Sequence, residues 1–153
     1  MDKKILGCIF RLVWVTFLCS ACQKGGLPTP TSMSAVDPNQ ANFVLHVLNS
    51  SNASPNVDVQ VYLDGELALN EFFEVGTNEV GITNHKTYYF KLNTGMHTIK
   101  AVSVKGEAIF ETQFEIDEKK WAIIGYEYSP GPPPDTPPKH FGFQIQNEPI
   151  QFQ

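Results

Sequence analysis

Four histidines, His46, His85, His97 and His140, are the side chains in this sequence best suited to proton transfer near neutral pH or to nitrogen ligation of a metal, and they lie far apart along the chain. Single histidines on solvated strand faces account for that scatter, so no metal is expected. Asp58, Asp64 and Glu66 could offer oxygens to calcium, but no EF-hand spacing surrounds them, and Asp64 is explained by the turn it begins with Gly65. Gly76 and Gly81 are spaced as in a phosphate-cradling loop, yet Ile82 stands where that loop needs a lysine. No Gly-x-Ser-x-Gly elbow and no His-Glu-x-x-His pair occurs. The chemistry expected is therefore non-catalytic, with no cofactor.

Cys8, Cys19 and Cys22 all fall in the leading segment. Lys3, Lys4 and Arg11 precede the apolar run Leu12-Val13-Trp14-Val15-Thr16-Phe17-Leu18, the layout of a secretory signal peptide, whose apolar region takes about 7 to 15 residues. A membrane span needs ~20 apolar residues, and Arg11 interrupts this one. Ser20-Ala21-Cys22 resembles the lipobox of bacterial lipoproteins, with Cys19 standing where leucine is usual. That resemblance implies cleavage after Ala21, multiple acylation of Cys22 and anchoring in the bacterial cell envelope, with the outer membrane the expected address. Cleavage would remove Lys3, Lys4, Arg11 and Asp2, leaving eight basic against fifteen acidic side chains and Cys22 as the last cysteine. A disulfide in the folded domain, a cysteine-rich metal site and thiol catalysis would then all be excluded.

These features sit on a chain of 153 residues, 42% apolar and 18% charged, enough for one folded domain. Its formal net charge of -5 gives it no basic footprint, which removes nucleic acid from the list of partners. Residues 22–40, rich in Gly, Pro, Ser and Thr, read as the acylated cysteine and a flexible tether. Over 41–128 short runs of Val, Ile, Phe and Tyr alternate with turn residues, predicting strands at 42–49, 57–63, 66–73, 86–93, 96–104, 107–116 and 121–128. Asp64-Gly65 and Lys105-Gly106 predict hairpins with glycine at positive φ, and Asn93-Thr94-Gly95 a similar reversal. On the strand from Glu107 to Ile116, Ala108, Phe110, Phe114 and Ile116 share one face and Glu107, Glu111, Gln113 and Glu115 the other, so that one side of its sheet meets water.

Residues 129–139 hold a proline-rich stretch that reads either as a polyproline II spacer or as a rigid surface loop. Beyond it, residues 140–153 alternate again as one or two amphipathic strands. These either complete the chain's own sandwich or pair with an envelope protein partner. Among the aromatics, the adjacent pairs Phe72-Phe73 and Tyr88-Tyr89 must each split across a strand. Trp121, Tyr126 and Tyr128 could line up as a ligand platform for stacking sugars, against the simpler reading that such rings are core.

Ser54-Pro55-Asn56-Val57-Asp58-Val59, Val61-Tyr62-Leu63-Asp64-Gly65, Tyr89-Phe90-Lys91-Leu92 and Gly95-Met96-His97-Thr98-Ile99 together resemble the bacterial family called domain of unknown function 4397 over about residues 44–128. Trp121 replaces a smaller aromatic, the segment Val57 to Gly65 carries two extra residues, and the proline-rich segment with the last strands lies outside the family. The resemblance implies an antiparallel Ig-like or transthyretin-like β-sandwich of about seven to nine strands, secreted or lipid-anchored, with no catalytic residues to carry over. The expected protein is a non-catalytic envelope lipoprotein that serves as a protein-interaction or structural module, held at the membrane by lipid on Cys22. The alternative is a glycan-binding module.

Overall fold

The alternation read from the sequence becomes strands in the computed structural model, which describes residues 33–51, 53, 56–74, 85–131 and 137–152. Among these residues there is no helix, and eight strands run in order: β1 (Phe43–Asn49), β2 (Asn56–Leu63), β3 (Glu66–Glu74), β4 (His85–Phe90), β5 (Gly95–Ser103), β6 (Ala108–Ile116), β7 (Lys120–Glu127) and β8 (His140–Gln146). The first sheet has the order β4-β1-β7-β8 and the second β3-β2-β5-β6. Packed face to face, they form a β-sandwich. β2 shows why: Val57, Val59, Val61 and Leu63 are buried, while Asp58, Gln60 and Tyr62 point away from the core. The inner rows of both sheets meet in one cluster, with Phe43 of β1 stacked on Phe114 of β6 at a centroid distance of 4.9 Å.

One pairing departs from the expected antiparallel plan. β1 and β7 run parallel, so the first sheet is mixed. Parallel neighbours need a long crossover, and here the chain supplies it by building β2 to β6 between them.

The turns divide in the same way. Asp64 and Gly65 have φ of 50° and 81°, the two positive values that a two-residue hairpin turn demands. In the β5–β6 turn, however, the positive φ of 51° falls on Glu107 and not on Gly106. Gly106 is needed for space: a Cβ there would lie 2.5 Å from the Tyr126 ring, whose hydroxyl donates to the Gly106 carbonyl at 3.1 Å. Asp58 fixes the same turn, accepting from the Ser103 hydroxyl at 3.0 Å and from the amides of Val104 and Lys105 at 3.0 and 2.7 Å. Burial opposes the charge on Asp58, but these hydrogen bonds outweigh it and hold the carboxyl below its ordinary range. Asn93 to Gly95 forms no hairpin; it carries the chain from the first sheet to the second.

Boundaries also move. Residues 33–40, expected as part of the tether, are held to the sandwich: the Met33 amide donates to Leu67 O at 2.9 Å, the Val36 amide to Tyr89 O at 2.8 Å, and Met33 packs against the core. A single apolar anchor in a polar stretch gave no periodic signal. Of the proline-rich stretch, residues 132–136 lie outside the described residues. Glu127 and His140, on either side of it, are paired partners on the antiparallel strands β7 and β8. The terminal segment supplies one strand of the chain's own first sheet, and 147–152 continue without forming a second.

Phe141 of β8 is only 5% exposed and packs edge to face on Tyr126 at 5.8 Å, so it belongs to the core. Phe141→Ala is expected to cost about 3 kcal/mol in urea unfolding, whereas the same change at exposed Phe72 should fall within ~0.5 kcal/mol of neutral.

Candidate functional site

The turn Asp64-Gly65 and the strand start Gly95-Met96-His97, distant in sequence, meet in space. His97 Nδ1 lies 2.6 Å from Asp64 Oδ2, and its Nε2 lies 2.8 Å from Asn93 O. Asp64 Oδ1 accepts the Thr98 amide at 2.8 Å. Because both ring nitrogens face acceptors, the doubly protonated imidazolium is the form that satisfies both. Burial of His97 pushes its pKa down, but the Asp64 hydrogen bond, the Asn93 carbonyl and the Asp64 charge together raise it above 6.5. The Asp64 carboxyl moves the other way: burial works to raise it, and the Thr98 amide and His97 lower it further. With neither nitrogen free, this pair clamps the β2–β3 turn to β5 and offers nothing to a metal or substrate. Sequence reasoning gave Asp64 to its turn and His97 to a solvated face. The shared motif Asp-Gly and Gly-x-His was the available signal for the contact.

His46 lies on the outer face of the first sheet, with Nδ1 hydrogen-bonded to Thr87 Oγ1 at 3.0 Å and its ring 5.7 Å from His85. Phe152 stacks on His85 at 3.9 Å and meets His46 edge-on at 5.0 Å. Burial, then the neighbouring His85, lowers the His46 pKa. His140 sits elsewhere, beside Glu127 at 3.3 Å. Among the described residues no three His, Cys, Asp or Glu side chains converge as a metal site would require. Asp58 and Asp64 stand at opposite ends of β2, about 20 Å apart at ~3.3 Å per residue, too far to share an ion.

The residues expected as a ligand platform do not come together. Tyr126 is 0% exposed, its side chain in the core. Trp121, five positions earlier on the same strand, faces the opposite side and carries Lys119 Nζ 5.3 Å above its ring. Tyr128 packs against the core under Lys139 Nζ, 5.6 Å from its ring centre. Period-2 alternation separates Trp121 from both tyrosines. Cys22, the expected lipidation site, lies outside the described residues, as do Gly76 and Gly81.

The outer face of the second sheet is different. Phe72, Met96, Val104 and Ile109 are exposed by 66%, 61%, 73% and 66%, and all four belong to this face or the turn at its end. They resolve the split of adjacent aromatics: Phe73 is buried in the core and Phe72 stands in solvent. Between them runs a groove of about 430 Å³ lined by Gln60, Tyr62, Thr98, Lys100, Val102 and Ile109. Lys100 and Glu111 face each other at 3.6 Å beside it, and Lys105 Nζ sits 5.8 Å from the Phe72 ring centre. The groove offers a ligand the Tyr62 and Thr98 hydroxyls, the Gln60 amide and the Lys100 ammonium. Tyr88 is the other polar oddity, its buried hydroxyl unpartnered among the described residues and its pKa pushed up to about 12 by burial and by the Glu71 charge.

Compared with protein-family models, curated proteins and solved structures, the chain matches none.

His46 and His97 are expected to titrate on opposite sides of 6.5 in NMR imidazole titrations. The raised His97 contributes stability that is full below the ordinary pKa and lost as pH rises through its elevated value. The lowered His46 instead costs stability as pH falls below 6.5. Asp64→Asn should bring the His97 titration down. Because Asp64 is 44% exposed, the expected stability loss is only about 1 kcal/mol.

Proposed function

We propose that this chain is a non-catalytic lipoprotein of the bacterial cell envelope, anchored through acyl chains on Cys22, whose sandwich docks another envelope protein. The single observation that carries the docking half is the exposure of Phe72, Val104 and Ile109 toward one end of the second sheet's outer face, with Met96 exposed on the same face at its other end. Apolar residues scattered singly over a surface need no explanation, but several large ones gathered on one face mark a contact site. The face carries the groove and is crossed by the Lys100–Glu111 pair, whose charges would fix a partner's register. The leader with Ser20-Ala21-Cys22 supports the anchoring half, as does the resemblance to a secreted or lipid-anchored sandwich family without assigned chemistry. The glycan-binding alternative loses its motive, since Trp121, Tyr126 and Tyr128 do not share a face.

The test is in-cell crosslinking of the full-length protein followed by mass spectrometry, with Phe72→Ser plus Ile109→Ser as the comparison. A stoichiometric envelope partner that is lost in the double variant, while its circular dichroism stays unchanged, is the expected result. Retention of every partner by the variant, or binding only to sugars in a glycan screen, would sink the docking reading. Palmitate labelling that survives Cys22→Ser would sink the anchor.

A further inference from the structure

Strand edges expose unpaired backbone groups, and folded proteins guard them with charge, bulges, proline or cover. The sandwich has four edges, β3 and β6 in one sheet, β4 and β8 in the other. β3 bears Glu66 and Glu71, a register irregularity opposite Val61/Tyr62, and the Met33 amide on Leu67 O. β4 carries Lys86 and receives the Val36 amide on Tyr89 O. β6 presents Glu111 and Glu115. β8 reads His-Phe-Gly-Phe-Gln-Ile-Gln, with no proline, no carboxylate and one ionisable group at its first position, and among the described residues it pairs only with β7.

The inner row of β8 adds a second reason to expect company. Phe141 is buried, but Phe143 and Ile145 are only partly covered, with Phe143 against Phe110 and Phe114 at 5.8 and 6.4 Å where the two sheets part. The strand's alternation is also symmetric about Phe143. Antiparallel pairing of two copies about that residue sets Phe141 opposite the partner's Ile145 and Gly142 opposite the partner's Gln144, apolar on apolar and neutral on neutral. The same operation on β6, about Gln113, would oppose Glu111 to the partner's Glu115, a like-charge pair.

We propose that the open edge of β8 is a self-association edge, on which a second copy of this chain adds its own β8 antiparallel to give one continuous eight-stranded sheet. This goes beyond docking on the second sheet's outer face, which it leaves free in both copies. A two-fold contact of this kind is self-complementary and closes at the dimer.

The test uses the full-length protein in its own envelope, with Gln144→Cys on the exposed row of β8 and Gln113→Cys on β6 as control, each treated with a short bismaleimide. A dimer band from Gln144→Cys and none from Gln113→Cys is expected. In detergent extract, sedimentation should show a dimer for the unaltered chain. Gln144→Lys with Gln146→Lys should weaken that dimer about tenfold or more by setting like charges along the joined edge, with circular dichroism unchanged. A monomeric unaltered chain, crosslinking from Gln113→Cys instead, capture of a different protein by Gln144→Cys, or a dimer indifferent to the two lysines would each overturn the proposal.

Discussion

A strand with no exposed side chain from Phe43 to Asn49 needs neighbours on both edges and cover on both faces, and the rest of this sandwich is arranged to supply them to β1. β4 pairs on one edge and β7 on the other. Phe43, Leu45 and Val47 meet the second sheet, which covers the inner face. On the outer face, where Val44, His46 and Leu48 are also buried, the chain end returns. Lys120 Nζ holds Asn147 at 2.6 Å, and five residues later Phe152 rests on the His46–His85 pair at the far side of the sheet. The segment 147–152 therefore runs diagonally over the outer face as a strap. The parallel β1–β7 contact follows from the same demand, because the two strands of the first sheet that are richest in buried residues are placed side by side at its centre.

Much of this was legible in the residues. Alternation located six strands within one residue at each end and a seventh, β4, that stops three residues short of its expected end, and Asp64-Gly65 marked its hairpin because two successive positive φ values leave few other choices. The failures share a cause. Whether β1 pairs parallel with β7, whether Met33 docks, and whether β8 joins the chain's own sheet are decided by contacts between segments distant in sequence. Local pattern carries no record of such contacts. Gly106 is instructive in the opposite direction: glycine was read as a backbone requirement, and the Tyr126 ring makes it a requirement for space.

The candidate site was less legible, because period 2 tells which residues share a face but not which face is wet. It required Phe72 and Phe73 to diverge without saying which one enters the core. Applied to β7, the same rule already separates Trp121 from Tyr126, so the platform was inconsistent with the strand that was to carry it. His97 and Asp64 show the limit of reading residues singly. Each had a sufficient local explanation, yet the 2.6 Å contact between them ties the β2–β3 turn to the start of β5, at a point where a buried histidine would otherwise leave polar nitrogens unmatched.

The two outer faces of the sandwich are treated unequally, and the inequality bears on function. On the first sheet's outer face Val44 and Leu48 are buried and the chain's own Phe152 lies over His46 and His85, so this sequence has the means to hide surface when hiding serves stability alone. The second sheet's outer face has no such cover among the described residues, and large apolar side chains stand there beside Glu111, Glu115 and Lys100. Polar side chains at Phe72, Val104 and Ile109 would cost the fold almost nothing, since these positions are already in water. Side chains that contribute little to folding and increase the hazard of nonspecific association are best explained by a contact the folded chain makes with something else.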